Sequence, residues 1–232
     1  MSTLPRIYVP ATSVENWRPL LGRPSHLKEG RSAHAIATRW LAANDFPPRV
    51  RAALSNADDP ALRKLELLLA IPEHRTLLPP ARGRASQSDL LVLARGADVL
   101  VALTIEGKVD EPFGESVAAW LGSNPSPGKS ERLAFIVETL GLEGHDVAPL
   151  RYQLLHRTVS AVLEARRFTA RHAVMLVHSF DPRDTGWPEY ADFVHTLGGE
   201  PAPDAVTRVR RLGSGDLSVG WARDEPPALS SV

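Results

Sequence analysis

The chain of 232 residues carries 27 basic and 27 acidic side chains. With no net charge to draw in polyanions, any nucleic-acid contact has to use a local patch. Cysteine is absent, which excludes disulfides, zinc–thiolate sites and a thiol nucleophile.

A hydrophobic content of 43% is ample for a core, and the length suits one large α/β domain or two small ones. No clear linker interrupts the chain, so a single domain over residues 1–223 is expected. The Pro- and Ser-rich stretch 224–232 reads as a disordered tail. No apolar run approaches about 18 residues, and no signal-like apolar segment follows Met1. A cytoplasmic protein without a membrane span is the expectation.

Residues 1–6 read as loose, and Ile7-Tyr8-Val9 as a short edge strand ended by Pro10. Ala33, Ile36, Ala37, Trp40 and Leu41 recur at helical spacing, which predicts a helix over 31–43. A shorter helix follows Pro47-Pro48 at about 50–54. The run 65–71 fits either a helix end or a first strand, and Pro72-Glu73-His74 continues it.

The stretch 88–113 organises the rest. Residues 89–94 and 99–105 are apolar runs separated by Arg95-Gly96-Ala97-Asp98, which suits a hairpin with Gly96 first in a two-residue loop. That turn pairs Arg95 with Asp98 and sets Asp89 opposite Thr104. Strand side chains alternate faces, so Glu106 and Lys108 then share the face of Asp89. Glu106 becomes its diagonal neighbour, roughly 7–8 Å away by backbone. Both faces of the hairpin are otherwise apolar, as in central strands covered by helices. Two acids at the mouth of such a layer repel each other unless a cation or Lys108 stands between them.

Asp110 and Glu111 precede a predicted helix over 116–121. Gly122 to Ser130, GSNPSPGKS, comes close to a phosphate-binding loop, but its first glycine is one residue too far away. Pro125 and Pro127 also lack the amide hydrogens of a phosphate cradle. A flexible connection is expected there, then a helix over 133–140. In the segment 150–168, Leu150, Leu154, Val159, Val162 and Leu163 form the buried stripe, with Gln153, His156, Arg157 and Ser160 on or beside the other side. Residues 173–177 read as a strand, 187–197 as a helix, and 206–212 with 217–222 as a terminal hairpin. The eight histidines show no metal-ligand spacing that outranks the carboxylate pair.

Ser88-Asp89 followed by Glu106-Gly107-Lys108 resembles the signature of the PD-(D/E)XK nuclease superfamily. The resemblance implies a restriction-endonuclease-like α/β fold, a mixed central sheet of four to five strands flanked by helices. It implies Mg²⁺ or Mn²⁺ held by Asp89, Glu106 and the carbonyl of Gly107, with Lys108 orienting or deprotonating water. Gln153 matches a glutamine that exonuclease-like members place in the helix after the lysine strand. The tyrosine often found four residues later is replaced by Arg157. Many members draw another glutamate from an early helix, but the helix predicted from Arg31 holds no acid, and Glu73 is the better candidate for a third carboxylate. Arg151 and Arg157 would contact nucleic-acid phosphates. The expected function is metal-dependent phosphodiester hydrolysis of nucleic acid. The alternative is an inactive nuclease-fold protein serving as a binding or regulatory subunit, which the neutral charge and the missing helix-borne acid favour.

Overall fold

The computed structural model describes residues 6–7, 12–22, 24–80, 83–212 and 215–228. Tyr8 and Val9 of the expected first strand lie outside them. Ile7 forms an isolated parallel bridge with Ala70.

One mixed sheet of six strands forms the centre, rather than the four to five expected. The strands are β1 (Glu66–Thr76), β2 (Ser86–Arg95), β3 (Leu100–Lys108), β4 (His172–Ser179), β5 (Ala205–Leu212) and β6 (Gly215–Arg223). Their spatial order is β1-β2-β3-β4-β6-β5. The ladders β1–β2, β2–β3 and β5–β6 are antiparallel, while β4 runs parallel to both β3 and β6. The extra strand is β1, the run that suited helix or strand equally. It continues through Pro72, which a sheet tolerates here because β1 is an edge strand.

The helices are α1 (Ser32–Ala43), α2 (Pro48–Ser55), α3 (Val117–Leu121), α4 (Pro127–Leu140), α5 (Tyr152–Arg167) and α6 (Trp187–Thr196). Helix α4 begins six residues before the expected start at Leu133, with Pro127 at its first turn, where a missing N–H costs nothing. The expected flexible connection therefore supplies the start of a helix. Gly141, at φ 61°, ends it in the left-handed conformation that favours glycine.

Strand alternation divides the core in two. Leu90, Val92, Val101, Leu103, Ile105, Val174 and Leu176 face α1 and α2, burying Trp40, Ile36 and Leu54. Leu93, Ala102, Ala173, Met175 and Val177 face the other way, against Leu154, Val159 and Val162 of α5 and Phe193 of α6. Burying a side chain of this size instead of leaving it in water contributes roughly 1.5–3 kcal/mol, so both layers of helices are held by contact with the sheet. Among the described residues no helix is long and apolar enough to cross a membrane.

The hairpin register differs from the expected one by two residues. Leu90 pairs with Ile105 and Arg95 with Leu100, so the reversal spans Gly96 to Val99 and closes with Gly96 N–H donating to Val99 O at 2.9 Å. An even shift preserves which face each side chain takes. It also brings Asp89 closer: one rung past Leu90–Ile105, Asp89 lies level with Glu106 instead of Thr104.

At the other end of the chain, Asp224 donates its N–H to Ser179 O and accepts from His178. The first residue assigned to the tail thus packs on β4.

Candidate functional site

The cleft opens where β2 and β3 part. Asp89 Oδ2 accepts the Gly107 N–H at 2.6 Å, a bond that ends the ladder and fixes the aspartate beside the third strand. Gly107 is the residue this approach requires. A Cβ there would stand 2.5 Å from Ile36 Cγ1 and 3.2 Å from Asp89 Oδ2.

On the rungs either side, Glu106 and Lys108 point toward α5. Lys108 Nζ donates to Glu106 Oε1 at 3.0 Å and to Gln153 Oε1 at 2.9 Å. Gln153 Nε2 closes the triangle on Glu106 Oε1 at 2.6 Å. Glu106, Lys108 and Gln153 therefore meet, the first two on the face that strand alternation gave them and Gln153 at the position the resemblance implied. The side of α5 that bears Gln153, His156 and Arg157 faces the mouth of the sheet rather than bulk water.

Glu73 lies level with Asp89 on β1, between the rungs Pro72–Leu90 and His74–Ser88. Its backbone is left-handed, φ 52°, a conformation that costs a bulky residue energy and that clusters at functional sites. Glu73 Oε2 accepts from Gln87 at 2.8 Å, while Oε1 is buried without a hydrogen-bond partner.

The three carboxyls titrate apart. Burial raises Glu73 to about 7, opposed by the Gln87 hydrogen bond and assisted by the charge on Glu106. Burial, then the charges of Glu106 and Glu73, push Asp89 well above the usual carboxylate range. At Glu106 burial also acts upward, but Arg157 and Lys108 overcome it and hold the group at about 2. Glu106 as an anion beside two reluctant acids thus lines a cleft of about 820 Å³, which Glu111 and Glu115 also line.

The two arginines assigned to phosphate contacts are otherwise engaged. Arg157 Nε donates to Glu106 Oε2 at 2.6 Å and its Nη1 to Ser86 Oγ at 3.0 Å. Arg151 pairs with Glu189 and donates to Gly114 O at 2.9 Å. Both side chains thus have partners within the fold, and Arg151 remains about a third exposed. Arg157 follows Gln153 by four residues on α5, the spacing that puts two side chains on one face, and that spacing was the available clue.

Sequence reasoning missed three further features. Glu111, in the loop after β3, caps α1 by accepting from Ser32 N–H and from its hydroxyl, supplying the acid that α1 lacks. Trp120 and Tyr152 stack at 3.8 Å between centroids on the cleft wall. Beyond that wall a second cavity of about 1040 Å³ is lined by Arg75, Arg84, Lys129 and Arg132, with no acid among the described residues lining it. His156, by contrast, behaves as a packing residue. Burial, with the Arg157 charge, lowers its pKa, and Nδ1 lies 2.9 Å from Ser86 Oγ.

The cleft residues suit a hard divalent ion by donor type, three carboxylates with one orphaned oxygen. They are not closed around a point. Among the described residues, only Asp59, His172 and Asp216 bring three ligand-type atoms within 4.8 Å of one another.

A family model described as a domain of unknown function (DUF6946) matches residues 10–226. That is most of the chain, and the chain belongs to this family. No curated protein and no solved structure matches it.

Proposed function

We propose that this member of the DUF6946 family is a metal-dependent phosphodiesterase acting on nucleic acid, with a PD-(D/E)XK-like, restriction-endonuclease-like site. The carrying observation is that Lys108 Nζ touches both Glu106 and Gln153 while Asp89, level with Glu106 on the next strand, holds the Gly107 N–H between them. Four residues from β2, β3 and α5 thereby share one cleft.

Asp89, Glu73, Glu106 and the Gly107 carbonyl would hold Mg²⁺ or Mn²⁺. The ion would supply positive charge at the scissile phosphate and a more acidic water. Lys108 places a fixed charge in a desolvated cleft, where it acts on developing negative charge far more strongly than in water. Gln153 orients both Lys108 and Glu106. The stacked Trp120–Tyr152 pair offers a face for a base, and the neighbouring arginine-lined cavity a path for the backbone.

The test is cleavage of labelled single- and double-stranded DNA and RNA with Mg²⁺ or Mn²⁺, repeated with Lys108→Ala. Cleavage that needs the metal and falls at least about a hundredfold in the variant supports the reading. A folded wild-type protein that cuts none of these substrates overturns it.

A second reading rests on Arg157. Its guanidinium already neutralises Glu106, as a cation would, which favours a non-catalytic binding or regulatory subunit. Under that reading the wild-type chain cuts no nucleic acid, and Arg157→Gln, which frees Glu106 Oε2, raises its affinity for a divalent ion.

A further inference from the structure

At the end of the sheet remote from the cleft, three residues separated widely in sequence converge. His172 and Asp216 are register partners at the starts of the parallel strands β4 and β6. Asp59 precedes the short 3₁₀ turn after α2 (Pro60–Leu62). Its Oδ1 caps that turn by accepting from Ala61 N–H at 2.9 Å, which leaves Oδ2 turned toward His172.

We propose that Asp59, His172 and Asp216 bind a divalent transition-metal ion, zinc being the first to test. One potential ligand atom of each lies within 4.8 Å of the other two. Two atoms each about 2.1 Å from a tetrahedral zinc ion lie about 3.4 Å apart. Asp59 Oδ2 and His172 Nδ1 are 3.6 Å apart, too far for a hydrogen bond and close to the span of a shared ion.

Two unsatisfied atoms point to a missing ligand. His172 is 3% exposed and its Nδ1 has no hydrogen-bond partner. Asp216 is 8% exposed and its Oδ1 has none either. Buried polar atoms ordinarily find partners, so two orphans on side chains of one such cluster need an account. A cation answers both at once.

The donor set narrows the choice of ion. An imidazole nitrogen disfavours Mg²⁺ and Ca²⁺, and the absence of thiolates leaves the imidazole–carboxylate ions, zinc foremost. Three protein ligands leave coordination positions to water. A competing charge is Arg211, whose Nε lies 3.5 Å from Asp216 Oδ1 on a largely exposed side chain. The rival arrangement is a protonated His172 lying between two aspartates without any metal.

The site stands apart from the carboxylate cleft. Val101 pairs with His172 and Lys108 with Ser179, so the two lie at opposite ends of β4, roughly 23 Å apart at strand rise. An ion here would clasp the turn after α2 to the starts of β4 and β6, a structural rather than a catalytic duty.

The experiment uses the full chain in the Asp89→Asn background, which removes a cleft carboxylate, stripped with chelator and titrated with ZnCl₂. Calorimetry should give one zinc per chain, with a rise in melting temperature. Asp59→Asn and Asp216→Asn should each weaken binding at least about tenfold, and His172→Gln should abolish it. Asp59 is only partly buried, so its variant keeps the test open if His172→Gln fails to fold; circular dichroism checks each. No saturable zinc binding by the folded chain, or binding unchanged in both aspartate variants, overturns the proposal and leaves the ion pair.

Discussion

Arg157 Nε sits 2.6 Å from Glu106 Oε2, and Lys108 Nζ lies 3.0 Å from the other oxygen of the same carboxylate. Glu106 thus carries two cations in a buried setting, while Asp89 and Glu73 beside it carry none of their own. The contrast decides how each group should respond to mutation, pH and metal.

Glu106→Gln should destabilise more than Arg157→Gln, because it strands two buried cations instead of one anion that keeps Lys108. Removing one member of a buried pair typically costs about 3–5 kcal/mol. Urea unfolding measures both. A ranking in the opposite order would show that the Glu106 charge is not the hub of the network.

Glu73 should make the protein less stable as pH rises. Its folded pKa, raised to about 7, lies above the ordinary value of 4.5, so the native state holds a proton that the unfolded chain has released. The contribution is absent below about pH 4.5, grows through that window and levels off above 7, reaching at most about 3 kcal/mol. Glu106 acts oppositely and lower down, its stabilisation lost as pH falls toward 2. Glu73→Gln should therefore remove its own share of the fall in stability between pH 4.5 and 7, Asp89 keeping the rest, and leave the acid limb in place.

Millimolar Mn²⁺ should raise the melting temperature if the cleft binds metal. At ten times the dissociation constant the gain is about 1.4 kcal/mol, roughly 3–5 °C for a chain this long. Asp89→Asn should abolish the gain with little loss of stability of its own, since Asn resembles the protonated acid that burial already favours. A shift that survives this substitution in a chain that also carries Asp59→Asn would falsify the assignment of Asp89 as a ligand.

Gly107→Ala should cost about 1–3 kcal/mol, because the added Cβ meets Ile36 Cγ1 at 2.5 Å. Pairing it with Ile36→Ala should recover part of that cost, giving a non-additive double-mutant cycle. Strict additivity would mean that α1 does not press on the third strand as the geometry requires.

Much of the cleft was legible because period-two alternation survives an even slip. The expected two-residue loop is really the four residues 96–99, yet Asp89, Glu106 and Lys108 keep their faces. Gln153 came from the resemblance, since the helical pattern alone set it on or beside the side opposite the buried stripe of α5. Glu73 entered only as the better candidate for a third carboxylate while 65–71 could be helix or strand, since only strand pairing sets it level with Asp89. Asp59, His172 and Asp216 left no local trace. Their meeting depends on a parallel rung between β4 and β6, and parallel pairings join segments separated by whole crossover connections. The sixth strand escaped for a related reason: Pro72 reads as a break unless its strand lies at an edge.

That edge bears on how copies of the protein can meet. Along the outer rim of β1 the Ala70 N–H is already taken by Arg6 O at 2.8 Å, and two residues on Pro72 has no amide to offer. A strand from another molecule would find interrupted docking points there, so the sheet resists growth into a continuous intermolecular ribbon on this side. Self-association that begins at this flank would have to proceed through side chains instead of backbone.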